Sequence, residues 1–194
     1  MRKTLIAILL ALALVVIPVG GALAATSADV TVTATPTYIS ITDSPNTWTL
    51  NGITGNGKIR PNTAYYSNPL GDTTAPSATV VDAECRFTVT NAAGSTVSVD
   101  LTVTCSDFSG GGANMANSDT GSNGTTSYGA YCWYSGMTYT SKVVVKTSGS
   151  SKMYSAGLAA GSSLKWGAEI KTQTDDFTSG TSSTATMTIT ATEH

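Results

Sequence analysis

Residues 84–106 read ECRFTVTNAAGSTVSVDLTVTCS, and their alternation decides the fold class. Cys85, Phe87 and Val89 share one parity, with Glu84, Arg86, Thr88 and Thr90 on the other. Val97, Val99, Leu101, Val103 and Cys105 then alternate with Ser98, Asp100, Thr102 and Thr104. Successive side chains of a strand point to opposite faces, so strict period two describes strands with one apolar face and one wet face. Asn91-Ala-Ala-Gly94-Ser separates the runs, and Gly94 can take a positive φ at low steric cost. The stretch predicts two strands folded back on each other across this turn, with two cysteines on the inward side.

The same periodicity recurs on either side. Upstream, Ser27–Thr35 (SADVTVTAT) places Val30, Val32 and Ala34 on one face, and Pro36 stops it. Tyr38–Thr42 carries Ile39 and Ile41 inward, and Thr47–Leu50 is a further candidate strand. Downstream, Tyr128–Tyr134, Thr140–Thr147, Leu164–Lys171 and the run Ala185, Met187, Ile189, Ala191 continue the pattern. Residues 51–76 and 107–126 are rich in Gly, Asn, Ser or Pro and read as connections; a loop as long as the second is functional or mobile. About seven to nine short strands with turn signals between them predict an all-β, antiparallel immunoglobulin-like sandwich of jelly-roll or Greek-key type. No helix is expected after residue 24.

Met1-Arg-Lys followed by Leu5–Ile17, a Pro18/Gly20-Gly21 break and Ala22-Leu-Ala24 has the form of a secretory signal peptide, residues 1–24, cleaved after Ala24. An apolar run of about 13 residues is too short to anchor the chain across a bilayer, so no membrane span is expected after cleavage. The remaining 170 residues, 25–194, suit one domain on a secreted, extracellular or cell-surface protein. Without Arg2 and Lys3, eight basic side chains face twelve acidic ones, which excludes a basic face for nucleic acid. Only 11% of the residues are charged, and such a surface resists self-association poorly.

Cys85, Cys105 and Cys132 are the three cysteines. In an exported protein they can oxidise. Directly opposed residues of adjacent strands are rarely bridged, which favours a Cys105–Cys132 disulfide over Cys85–Cys105 and leaves one thiol free. Closing the loop of about 27 residues between them would stabilise by roughly 3–4 kcal/mol in the chain-entropy model. No closely spaced pair such as CxxC suggests a metal–thiolate site.

His194, the final residue, is the only histidine, and a chain end is a poor place for an imidazole that must be fixed for nucleophilic catalysis. Glu84 and Glu169 fall on outward parities, Glu193 is terminal, and Asp175-Asp176 lies in a loop, so paired catalytic carboxylates are not expected either. The chain is read as a non-enzyme without cofactor. Calcium is the one ion with candidate ligands, the hard oxygens of Asp107, Asn114, Asn117 and Asp119, whose spacing matches no EF-hand loop. Asn123-Gly-Thr125 is a lone glycosylation sequon. Tyr131 and Trp133 share the strand face opposite Tyr128, Ala130, Cys132 and Tyr134; exposed, they would form an aromatic glycan-binding face. The alternative is that residues 107–126 or a second subunit cover them. Trp48 and Trp166 read as core.

At FTVTNAAGSTVSVDL, at GLAAGSSLKWGAEI and at TATMTITATEH, the chain resembles TasA/camelysin-type secreted sandwiches. The resemblance covers about a third of the sequence and implies a fibre or matrix subunit whose N-terminal strand completes a neighbour's sheet. Two readings follow. In the first, a structural cell-surface or matrix protein forms a homo-oligomer or filament by donating the strand of Val30, Val32 and Ala34, with docking of that strand into its own domain as the alternative. In the second, a carbohydrate-binding or adhesin module uses Tyr131 and Trp133.

Overall fold

The computed structural model describes residues 38–50, 59–110, 115–149, 151–177 and 183–194. The expected signal peptide and the strand carrying Val30, Val32 and Ala34 lie outside the described residues. Within them the chain forms ten strands: β1 (Ile41–Ser44), β2 (Ala64–Tyr66), β3 (Phe87–Asn91), β4 (Val99–Cys105), β5 (Ala116–Asn117), β6 (Ser127–Tyr134), β7 (Val143–Val144), β8 (Ser151–Leu158), β9 (Ser163–Lys171) and β10 (Met187–Glu193). Two 3-10 turns, Asp82–Glu84 and Tyr139–Ser141, are the sole helical elements among these residues. The all-β class expected from the alternation is the class found.

Seven strands make a large sheet in the order β1-β3-β9-β6-β5, with β2 also beside β9 and β7 beside β6; three make a small sheet in the order β10-β4-β8. All pairings are antiparallel except the two-residue β5–β6 pair. Within β3 and β4 the expected parity holds, since both alternate strictly between buried and half-buried residues. Ahead of β3 it does not: Glu84 is buried, and Cys85 packs with Val80, Trp133 and Met137 rather than with Phe87 and Val89. The expected pairing of β3 with β4 is not formed either. β3 bonds to β1 and β9, whereas β4 bonds to β10 and β8, so the expected hairpin is a crossing from one sheet to the other.

The residues between them explain the crossing. Asn91 is fully buried and donates from Nδ2 to Val97 O at 3.0 Å and to Leu158 O at 2.8 Å, tying the end of β3 to the start of the next run and to the end of β8. Ser95 Oγ accepts from the Ser40 N–H at 3.1 Å, which pins the connection beside β1. Apolar parities of both strands enter one cluster: Phe87 and Val89 from β3, Val99, Leu101 and Val103 from β4, Tyr128, Ala130 and Cys132 from β6, Met153 and Leu158 from β8, and Leu164, Trp166, Ala168 and Ile170 from β9. Trp166 packs against Phe87 in a tilted arrangement with ring centroids 4.6 Å apart, while its Nε1–H donates to Asp43 Oδ1 at 2.9 Å. Trp48 is half-buried against the same cluster, but Thr47–Leu50 forms no strand. The strand expected over Thr140–Thr147 is reduced to β7, because Tyr139–Ser141 closes a 3-10 turn ahead of it.

Candidate functional site

The outward face of the large sheet gathers the residues from which a glycan site was expected. Glu169 on β9 stands opposite Tyr66 on β2 and Tyr131 on β6, and Gly167 stands opposite Trp133. Gly167 makes room for the indole: a Cβ there would lie 2.5 Å from Trp133 Cε2. Trp133 is 0% exposed. Val80, Cys85 and Met137 enclose it, with Tyr66 and Tyr139 at the margin, the Tyr139 ring edge-on with centroids 5.7 Å apart. Its Nε1–H finds no hydrogen-bonding partner. Tyr131 is half-buried, with the backbone of Gly121 against its ring. The exposed aromatic face is therefore absent: the turn and loop segments around Val80–Cys85 and Met137–Tyr139 cover Trp133, and part of the 107–126 stretch covers Tyr131.

Beneath this cover is a polar cluster that sequence parity did not reveal. Lys142 Nζ contacts Glu169 Oε2, and the two side chains are 20% and 5% exposed. The Tyr139 hydroxyl donates to the same carboxylate oxygen at 2.6 Å. Lys142 Nζ also lies 4.3 Å from the Tyr131 ring centroid and 4.7 Å from that of Tyr139, within cation–π range. Burial, and then the Glu169 charge, push the Tyr66 phenol above its ordinary value; burial and the bond to Glu169 do the same to Tyr139. The Tyr139 phenol thus stays protonated as the donor to Glu169. Glu169 looked like a solvated outward carboxylate because alternation reports which sheet face a residue occupies, and a covered outer face leaves no period-two mark.

Glu84 is a second outward carboxylate found buried, at 5% exposure. Its Oε1 accepts from the Ser77 N–H at 2.8 Å and the Ser77 hydroxyl at 2.6 Å, and its Oε2 accepts from the Val81 N–H at 3.0 Å. Burial raises its pKa, but these hydrogen bonds outweigh burial and hold the carboxyl below the usual range.

All three cysteines are free and buried, so the expected Cys105–Cys132 bridge is not formed. Cys105 Sγ lies 3.1 Å from the Tyr128 hydroxyl, which itself donates to Ser106 O at 2.6 Å. Cys132 stands four residues beyond Tyr128 on β6, a displacement of about 13 Å along a strand. Burial pushes the Cys85 and Cys132 thiols up to about 12 and raises that of Cys105.

The candidate calcium ligands are engaged with backbone groups. Asp107 Oδ1 accepts from the Asn117 N–H at 2.8 Å, and Asp119 accepts from the Thr147 N–H at 2.6 Å and hydroxyl at 3.0 Å. Asn117 Nδ2 donates to Cys105 O and Val145 O, and Asn114 lies outside the described residues. Among the described residues no three His, Cys, Asp or Glu side chains converge as a metal site. Asn123, the sequon residue, donates its amide to Thr172 O at 2.7 Å and Asn62 Oδ1 at 3.1 Å. His194 is held in place, contrary to expectation: its N–H donates to Ser98 O at 3.0 Å, its Nδ1 lies 2.7 Å from Asp100 Oδ1, and its ring lies against Gly157.

What the described residues leave open is backbone. β1 and β5 end the large sheet and β10 and β8 the small one, and among the described residues neither β1 nor β10 has a strand on its outer side. Among the described residues no helix is long and apolar enough to cross a membrane. Comparisons of the chain with protein-family models, with curated proteins and with solved structures find no match.

Proposed function

We propose that this chain is a secreted structural protein of the cell surface or extracellular matrix, an immunoglobulin-like sandwich that assembles with copies of itself by strand addition. In this reading residues 1–24 direct export. The strand Ser27–Thr35, with Val30, Val32 and Ala34 on one face, is then donated to a neighbour. The observation that carries the proposal is that the β1 and β10 edges are open among the described residues, because unpaired N–H and C=O groups along a strand are templates for another strand. The low charge of the chain acts in the same direction, since little electrostatic repulsion opposes contact between copies. No second reading is advanced for glycans, as the Trp133 ring they would need is covered.

Deletion of residues 25–35 is expected to abolish filaments seen by negative-stain electron microscopy of the secreted protein, while the circular dichroism of the remaining domain stays β-type. Filaments of normal length from the deleted variant would remove the donated strand from the account.

A further inference from the structure

We infer that β10 pairs antiparallel with β10 of a second copy, joining two small sheets into one six-stranded sheet about a two-fold axis through Thr190. The inference does not rest on strand donation by residues 27–35. It begins with the phase of the existing ladder. The Ser106 N–H donates to Thr186 O, and the His194 N–H donates to Ser98 O, each at 3.0 Å. In an antiparallel pair, hydrogen-bonded residues alternate with non-bonded ones, so the even-numbered residues from 186 to 194 face β4. Met187, Ile189, Ala191 and Glu193 therefore direct their N–H and C=O groups to the open side, where no described segment meets them.

The side chains of β10 suit a copy of themselves. With Thr190 opposite Thr190, Ile189 faces Ala191, Thr188 faces Thr192 and Met187 faces Glu193, so that every residue of the strand finds a partner. Moving the axis to a neighbouring residue leaves part of the strand unpaired. A two-fold axis perpendicular to the sheet keeps corresponding faces on the same side. The apolar parity of Met187, Ile189 and Ala191, only half-buried in one copy, then continues into that of the other. On the outer face the exposed threonines form a row of cross-strand pairs, a favourable combination. The two Glu193 carboxylates lie at opposite ends of the pairing and do not repel. Natural edges are commonly protected by Lys, Pro or a bulge. β10 has no Lys, no Pro and an unbroken register with β4. A contact that uses one patch twice is isologous and closes as a dimer.

The test uses the secreted full-length product and single cysteines at exposed threonines. In the proposed register the Cα atoms of two Thr190 residues are about 4.5 Å apart, as in a non-hydrogen-bonded pair, the closer antiparallel pair type and the one at which the uncommon bridge between directly opposed residues comes within disulfide reach. Two Thr188 residues are offset by about 13 Å, beyond that reach. Mild oxidation is therefore expected to turn Thr190→Cys into a covalent dimer and leave Thr188→Cys monomeric on non-reducing gels. Ala191→Pro removes an N–H that faces outward and costs no internal ladder bond. Combined with Thr190→Cys, it should abolish the covalent dimer without changing the circular dichroism. Deletion of residues 25–35 should leave the Thr190→Cys cross-link intact. Equal cross-linking at 188 and 190, a wild-type protein that stays monomeric at all concentrations, or loss of the cross-link on deletion would each overturn the inference, the last by giving the edge to the N-terminal strand.

Discussion

Lys142 and Glu169 meet under a lid of tyrosine rings, and the energetics of that pair depend on which partner is removed. Taking two charges from water is costly, and their attraction offsets the cost only while both are present. Lys142→Met leaves the carboxylate of Glu169 with the Tyr139 hydroxyl as its remaining donor, at 5% exposure. The single variant should lose about 3 kcal/mol in urea unfolding, in line with breaking buried pairs elsewhere. Adding Glu169→Leu should restore much of that loss, because the buried charge is then gone. Additive losses in the double variant would mean that the two side chains act separately. Gly167 is constrained from the same side: the Trp133 ring occupies the space a β-carbon would need, so the smallest residue on β9 is set by the largest on β6.

The 3-10 turn at Asp82–Glu84 supports the segment that covers Trp133, and the Glu84 carboxylate ties it to Ser77 and Val81. Glu84 gathers three hydrogen bonds from Ser77 and Val81, and its pKa is depressed from the ordinary 4.5. A group whose folded value is depressed stabilises fully above its unfolded value, and that stabilisation is lost as pH falls through the folded value. Glu84→Gln should therefore cost about 1–3 kcal/mol at neutral pH, the range for a buried polar group stripped of a partner. The gap between wild type and variant should close as pH falls below 4.5, measured as urea midpoints across pH. A gap that persists at low pH would assign the cost to packing. Strands β3 and β4 illustrate a different constraint at this scale. Each alternates as a strand should, yet they belong to different sheets, because Asn91 and Ser95 bind the connection to β8 and to the segment before β1.

Across the whole molecule, the small sheet is built from strands that are never consecutive in the chain: β4, β8 and β10 are separated along the sequence by strands that belong to the large sheet. Closing contacts between distant segments costs loop entropy before burial rewards it, so the core should open as one cooperative unit. The three buried thiols report on that opening. With Cys85 and Cys132 held near 12, almost no thiolate exists at neutral pH in the folded protein. Ellman's reagent should modify none of them in buffer and all three in denaturant under non-reducing conditions; one thiol in denaturant would instead reveal a disulfide. By itself the sequence determined what period two can carry: the all-β class, the inward residues of β3, β4, β9 and β10, and the stripes that share a face. Which strands pair, that Glu84, Glu169 and Trp133 are buried, that His194 is anchored and that the cysteines stay apart were decided only by tertiary structure. Alternation tells a side chain which face of its own strand it is on, but the strand beside it and the loop above that face come from distant parts of the chain.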